Sequence, residues 1–182
     1  MRQKGYVKLI GMKTAYLLCG EPGSGKTTVI TDVLARSGKI CGGFYTEEIR
    51  IGGIRQGFGI TTLDGKSATL AHTAVNSRYR VSKYDVDTQS MDEVAVPAVR
   101  EAIRSCDIVV IDEIGKMELF SPSFKEAVIE ALQSGKKVLG TIMLAPHPWA
   151  DGIKQRPEVE IVKVTRNNRN EVVKRMLEWL ES

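Results

Sequence analysis

Residues Gly20-Glu21-Pro22-Gly23-Ser24-Gly25-Lys26-Thr27 match the pattern G-x-x-x-x-G-K-[ST] in full, and their surroundings restrict this part of the chain to one local structure. An apolar run from Thr14 to Cys19 leads into the motif, and Gly25 to Ser37 reads as a helix closed by Gly38. A strand, a glycine-rich turn and a helix in that order let the backbone curl until successive N–H groups point inward, beside the positive end of the helix. Main-chain dipoles in such a cradle solvate a polyphosphate. Lys26 is then placed for the β- and γ-phosphates and Thr27 offers its hydroxyl to Mg²⁺, while Thr28 suits either the α-phosphate or a structural place early in the helix.

Beyond Gly38 the hydrophobic pattern changes. Gly43 to Ile51 and Ile54 to Leu63 are rich in β-branched and aromatic residues, separated by a Gly52-Gly53 turn, and a second turn at Asp64-Gly65 leads to a third strand through Leu70. A small antiparallel β-meander over 43–72, inserted after the first helix, is expected. Met91 to Ser105 has helical spacing at Val94, Ala98 and Ala102, with Pro97 early in the helix. Ile108 to Ile111 is a continuous apolar run of the kind that parallel strands covered on both faces require. Ser121-Pro122 starts a helix whose face Phe124, Ala127, Val128 and Ala131 lines up to Gly135, and Val138 to Leu144 is another strand. The stretch Pro146 to Pro157, with three prolines and no clean period, reads as a loop or mobile lid. Val159 to Val164 is a last strand, followed by a C-terminal helix with Val172, Val173, Met176, Leu177 and Leu180 on one face and Trp179 bordering the core. Alternating strands and helices predict an α/β sandwich with a mainly parallel sheet, one domain over 1–182 with Met1 to Gly11 as a dispensable extension.

Composition narrows the setting. Hydrophobic residues at 42% and charged residues at 26% give the balance of a globular protein rather than a disordered or fibrous one. The formal charge of +4 is compatible with anionic ligands but does not select nucleic acid over others. Cys19, Cys41 and Cys106 form no C-x-x-C pair, which argues against a disulfide scaffold or zinc site and for a reducing compartment. With no membrane-length apolar run and no signal-peptide pattern, a cytoplasmic protein is expected, and a monomer is expected as its form.

The second chemical signal is Ile108-Val109-Val110-Ile111-Asp112-Glu113, four apolar residues and then two carboxylates at a strand's C-terminal end, where open α/β sheets bind ligands. Asp112 suits a metal-holding role beside Thr27, and Glu113 suits activation of water at the terminal phosphate. A simple turn cap is the competing role for either. With Ile114 and Gly115, this stretch joins the Gly20–Thr28 loop as the expected nucleotide-binding set, in which Lys26 and Glu113 are the catalytic pair. Lys116 suits a phosphate or an ion pair with Glu118. His72 and His147 lack metal-ligand partners, and Lys163, Arg166, Arg169, Lys174 and Arg175 are not interleaved with stacking aromatics. Arg50, Arg55, Arg78, Arg80, Arg156 and Arg169 all remain open as the cation for transition-state charge.

The phosphate loop, Gly43-Phe44-Tyr45-Thr46-Glu47-Glu48, Arg55 with Gly57-Phe58, Tyr79-Arg80-Val81, Lys83-Tyr84, the string Asp112 to Leu119 and Asn168-Arg169 together resemble the thermostable, cancer-related nucleoside-triphosphatase family. The resemblance runs from about Thr14 to the C-terminal helix. It implies a RecA-like P-loop core and slow, base-tolerant, Mg²⁺-dependent hydrolysis of ATP, GTP, CTP, UTP and TTP, with weaker cleavage of diphosphates. It also implies base or ribose contacts from Asn168 and Arg169, where the residues alone equally suit a helix cap and a surface charge. Ser82 departs from the family's usual glycine. Two other functions compete: a nucleotide, nucleoside or RNA kinase, and a nucleotide-dependent switch or nucleic-acid-binding module, which the lack of an N-K-x-D or T-K-x-D base-reading motif disfavours.

Overall fold

A computed structural model describes residues 13–182; the extension expected at Met1–Gly11 lies outside them. In chain order the elements are β1 (Ala15–Cys19), α1 (Lys26–Ser37), β2 (Cys41–Ile51), β3 (Ile54–Thr62), β4 (Ser67–His72), β5 (Arg80–Val81), β6 (Tyr84–Val86), α2 (Thr88–Ser90), α3 (Val96–Ser105), β7 (Ile108–Ile114), α4 (Pro122–Gln133), β8 (Lys137–Ile142), α5 (Pro148–Lys154), β9 (Val159–Lys163) and α6 (Arg169–Glu181). One sheet joins the strands in the order β5-β6-β4-β3-β2-β7-β8-β1-β9. From β2 to β9 the pairings are parallel, and from β2 to β5 they are antiparallel. The predicted α/β sandwich with a parallel central sheet and an antiparallel meander is present.

Alternation along the strands divides the core. Leu18, Ile108, Val110 and Leu139 pack with α1 and α6 on one face, while Ala15, Leu17, Val109 and Ile111 pack with α3, α4 and α5 on the other. Both faces are covered, which is why β1 and β7 read as unbroken apolar runs. The same period of two carries Asp112, two residues past Val110, onto the α1 face, the face that the phosphate loop enters. No helix among the described residues is long and apolar enough to cross a membrane.

Three expectations need correction. The first strand of the meander is no insertion, because β2 pairs with β7 over Cys41–Tyr45 before it pairs with β3, so one strand serves both halves of the sheet. The meander also continues past residue 72 into β6 and β5. The stretch 146–157 contains a helix. Pro148 occupies its first turn, where the missing amide hydrogen removes no bond, His147 Nδ1 accepts from the Ala150 N–H, and Ala150 and Ile153 are buried. Seven residues are too few to display a period. The helix predicted over 91–105 opens into a wider turn at Met91–Ala95, where Val96 N–H reaches Met91 O, just before Pro97, which has no N–H of its own.

Gly43 sits in the middle of the β2–β7 pairing, opposite Val110. Its φ is +116°, and a Cβ there would lie 2.0 Å from the Val110 carbonyl oxygen, so any side chain forces these strands apart. Ser82, at the β5–β6 turn, holds the left-handed conformation at φ +56°, which explains why glycine suits that position better. Gly43→Ala should cost about 3 kcal/mol or more, because left-handed strain adds to the clash with an immovable backbone. Urea unfolding should show the midpoint falling at unchanged m-value; an unshifted midpoint would refute the packing described here.

Candidate active site

The register aligns the site. Leu18 of β1 pairs with Thr141 of β8, Ile111 of β7 pairs with Gly140, and Tyr45 of β2 pairs with Asp112. Thr141 and Asp112 therefore stand side by side at the strands' C-terminal ends, next to the point where β1 gives way to the loop beginning at Gly20. Open α/β sheets bind ligands at such a place.

Asp112 is 2% exposed, and each carboxylate oxygen accepts one hydroxyl proton: Oδ2 from Thr27 Oγ1 at 2.9 Å and Oδ1 from Thr141 Oγ1 at 2.7 Å. Burial raises its pKa, and the two hydroxyls and the Lys26 ammonium act against that rise. Lys26 Nζ donates to Gly20 O at 2.9 Å and Glu21 O at 3.2 Å, so its charge is held over the loop. Thr141 was not foreseen. The signal for it is a threonine near the C-terminal end of β8, beyond the apolar pair Val138-Leu139.

Glu113 and Glu118 converge beside Gly115. A Cβ on Gly115 would lie 3.1 Å from Glu113 Oε1 and 2.8 Å from Glu118 Oε2. Glu118 is 4% exposed and begins the tight turn Glu118–Phe120 that follows β7. Burial, then the Glu113 charge, push its pKa up to about 8, so near neutrality it is protonated. Glu113 is raised as well, by burial and then by Asp112, while Lys26 lowers it. The expected partner of Glu118 does not meet it: Lys116 is exposed and stays off the cleft.

A cleft of about 900 Å³ gathers these groups. Gly20, Glu21, Pro22, Gly23 and Gly25 to Thr28 form its floor, and Asp112, Glu113 and Thr141 stand at the strand ends. Residues Ile142 to Pro146 form one side, and Thr46, Glu47, Glu48, Arg55 and Phe58 from the β2–β3 hairpin form the opposite wall. Ile108 to Ile111 and Ile114 are buried within the sheet behind this surface, so their part is to carry Asp112 and Glu113 rather than to touch a ligand. Ser24 is buried against Gly20, and among the described residues its Oγ has no hydrogen-bond partner.

Asn168 occupies the N-cap position of α6, but its side chain makes no capping hydrogen bond. Its Oδ1 accepts from Thr165 N–H and its Nδ2 donates to Lys163 O, which ties the loop before α6 together. Arg169 lies across the phosphate loop, with its Cδ 2.5 Å from where a Cβ on Gly25 would be. His72 and His147 each accept a backbone N–H, and Trp149 packs against the core rather than lining the cleft.

A glycine-rich loop, its lysine and threonine, and a strand-end acidic pair in one cleft define a P-loop nucleotide-binding protein. The chain matches the family model described as NTPase over residues 15–177. It is 42% identical over 165 residues to nucleoside-triphosphatase THEP1 of Thermotoga maritima, covering 91% of this chain and 94% of the relative. To the cancer-related nucleoside-triphosphatase of Homo sapiens it is 39% identical, covering 91% of this chain and 95% of that one. The crystal structure of THEP1 from Aquifex aeolicus superposes with a TM-score of 0.84 at 34% identity, covering 92% of this chain and 99% of that one. This chain belongs to the NTPase family, as the Asp112–Leu119 string predicted.

Because Glu118 binds in the folded chain a proton that it gives up near 4.5 when unfolded, its stabilising contribution is full at low pH and is lost as pH rises toward about 8. Asp112 and Glu113, shifted in the same direction, add a slope that Glu118→Gln leaves in place. Between about pH 5 and pH 8, unfolding free energy from urea titrations should fall more steeply in the wild type than in Glu118→Gln, by on the order of 1 kcal/mol per pH unit. Parallel profiles would show that Glu118 is ionised in the folded chain.

Proposed function

We propose that this chain hydrolyses the terminal phosphate of nucleoside triphosphates with Mg²⁺ as cofactor, accepting ATP, GTP, CTP, UTP and TTP and, weakly, diphosphates. The observation that carries this reading is the 2.9 Å hydrogen bond from Thr27 to Asp112, which closes the phosphate loop onto the acidic strand end and leaves Glu113 beside it in the cleft.

The donor set fits a small hard cation: a hydroxyl and a carboxylate, both oxygen donors, with space in the cleft for phosphate oxygens and water. Thr27 and Asp112 would hold Mg²⁺, whose chemistry there is to neutralise charge on the β- and γ-phosphates. Lys26 and the loop amides bind and orient the triphosphate tail. Glu113 orients a water molecule and takes its proton as the water oxygen bonds to the γ-phosphorus. The bond from that phosphorus to the β,γ-bridging oxygen breaks, and the electron pair leaves on the diphosphate. Burial, by raising the pKa of Glu113, makes it a better proton acceptor than a solvated carboxylate.

Base tolerance has a structural basis in this reading. Asn168 commits one acceptor site to Thr165 N–H and one donor to Lys163 O, which fixes its amide in the loop and leaves it fewer groups for reading a base edge. Arg169, which borders a depression of about 160 Å³ beside Thr28, offers a planar face on which any base can stack. A cytoplasmic monomer acting on free nucleotides, with nucleic acid as a disfavoured partner, completes the proposal.

Glu113→Gln keeps the side-chain shape and removes the proton acceptor. Turnover should drop by at least about 100-fold while affinity for a non-hydrolysable triphosphate stays within about threefold. Phosphate release should be measured across the five triphosphates with and without Mg²⁺ and with no acceptor present. Unchanged turnover would remove Glu113 from its role, and phosphate loss that required an added acceptor would mark a kinase instead.

A further inference from the structure

Charge that builds on the γ-phosphate during hydrolysis calls for a cation that meets it there, and six arginines were open for this from the sequence. The structure separates them. Arg50 is held at the hairpin tip by Glu48 and Gly53 O, Arg78 lies over the Tyr79 ring, Arg80 bonds Ser82 O, and Arg156 pairs with Glu158. Arg169 lies on the phosphate loop outside the cleft. Among the described residues, Arg55 is the arginine that lines the cleft together with Lys26 and Glu113.

Its setting is built for a cation that changes partners. Nε donates to Tyr84 Oη at 3.1 Å, and Nη1 donates to Glu48 Oε1 at 2.7 Å. The guanidinium lies 5.2 Å from the Phe58 ring centroid and 5.8 Å from that of Tyr84, so two aromatic faces fix its plane. At 44% exposure the side chain has room to move. Glu48 also binds Arg50, through Nη2 at 2.6 Å, and would retain a counter-charge if Arg55 left it. That removes the main penalty on the movement, an unpaired carboxylate. The sheet explains why this wall exists: β2 ends its pairing with β7 at Tyr45, level with Asp112, yet runs on to Ile51, so the β2–β3 hairpin stands past the strand ends and faces the loop.

We propose that Arg55 is a catalytic residue of this chain, moving from Glu48 to the γ-phosphate and the β,γ-bridging oxygen as that bond breaks, with Glu48 and Tyr84 as its positioning residues. The inference rests on the hydrolytic reading above, in which water supplies the attacking oxygen and Glu113 takes the proton. It adds that the chain provides its own arginine, with no partner subunit required.

The test compares wild type with Arg55→Gln and Arg55→Ala. Both variants should lose at least about 100-fold in kcat, while the affinity for a non-hydrolysable triphosphate stays within about fivefold. Wild type should bind a nucleoside diphosphate more tightly when fluoroaluminate is added to mimic the transferring phosphoryl group; the variants should lose that increment, and guanidinium ion in the buffer should restore part of the turnover of Arg55→Ala. A purely structural arginine would lower thermal stability and leave the fluoroaluminate increment intact, which would overturn the proposal. So would turnover within about threefold of wild type in both variants. A wild-type chain inert toward every triphosphate would fail at the earlier step and take this inference with it.

Discussion

The carboxylate of Asp112 sits 2% exposed at the end of β7, and the two hydroxyl protons it accepts, from Thr27 and Thr141, decide how the rest of the molecule is arranged. A buried carboxylate without donors costs several kcal/mol, so the loop threonine and the β8 threonine must both be present for the strand end to exist in this form. That requirement couples α1, β7 and β8 at one point. It also explains the strand order. With β8 between β7 and β1, a threonine on β8 can bridge the acid to the loop that β1 delivers.

Around that junction the chain concentrates like charge. Asp112, Glu113 and Glu118 all lie near one another, and for each of them burial leads the rise in pKa. Near neutrality the cluster is tolerated because Glu118 holds its proton and because Lys26 lowers the pKa of both Asp112 and Glu113. Cations brought to the cleft, whether from a metal, from Lys26 or from Arg55, are favoured by the same field that makes clustered carboxylates costly. Binding and catalysis thus draw on one electrostatic arrangement.

The antiparallel half of the sheet has a role in this. β2 belongs to both halves, and its continuation past Tyr45 carries the β2–β3 hairpin beyond the parallel strand ends as a wall of the cleft. Phe58 and Tyr84 meet edge-to-face with ring centroids 5.3 Å apart, giving that wall a rigid apolar face on which Arg55 and Glu48 are mounted. A hairpin that merely decorated the surface would not need such a face.

What the sequence determined by itself is the machinery that is contiguous in the chain. The loop Gly20 to Thr27 and the run Ile108 to Glu113 are each encoded within eight residues or fewer, so local backbone chemistry and burial on both faces of a strand make them legible. The helix of Pro122–Gln133, capped by Ser121, was legible for the same reason. The tertiary structure decided everything that depends on register between distant segments: Thr141 beside Asp112, Glu118 beside Glu113, Arg55 as the one arginine among the described residues that lines the cleft, and β2 shared between two kinds of pairing. Residues 29 and 85 positions apart meet at Asp112 because strand order and strand phase place them there, and neither quantity is written in any short stretch of the chain.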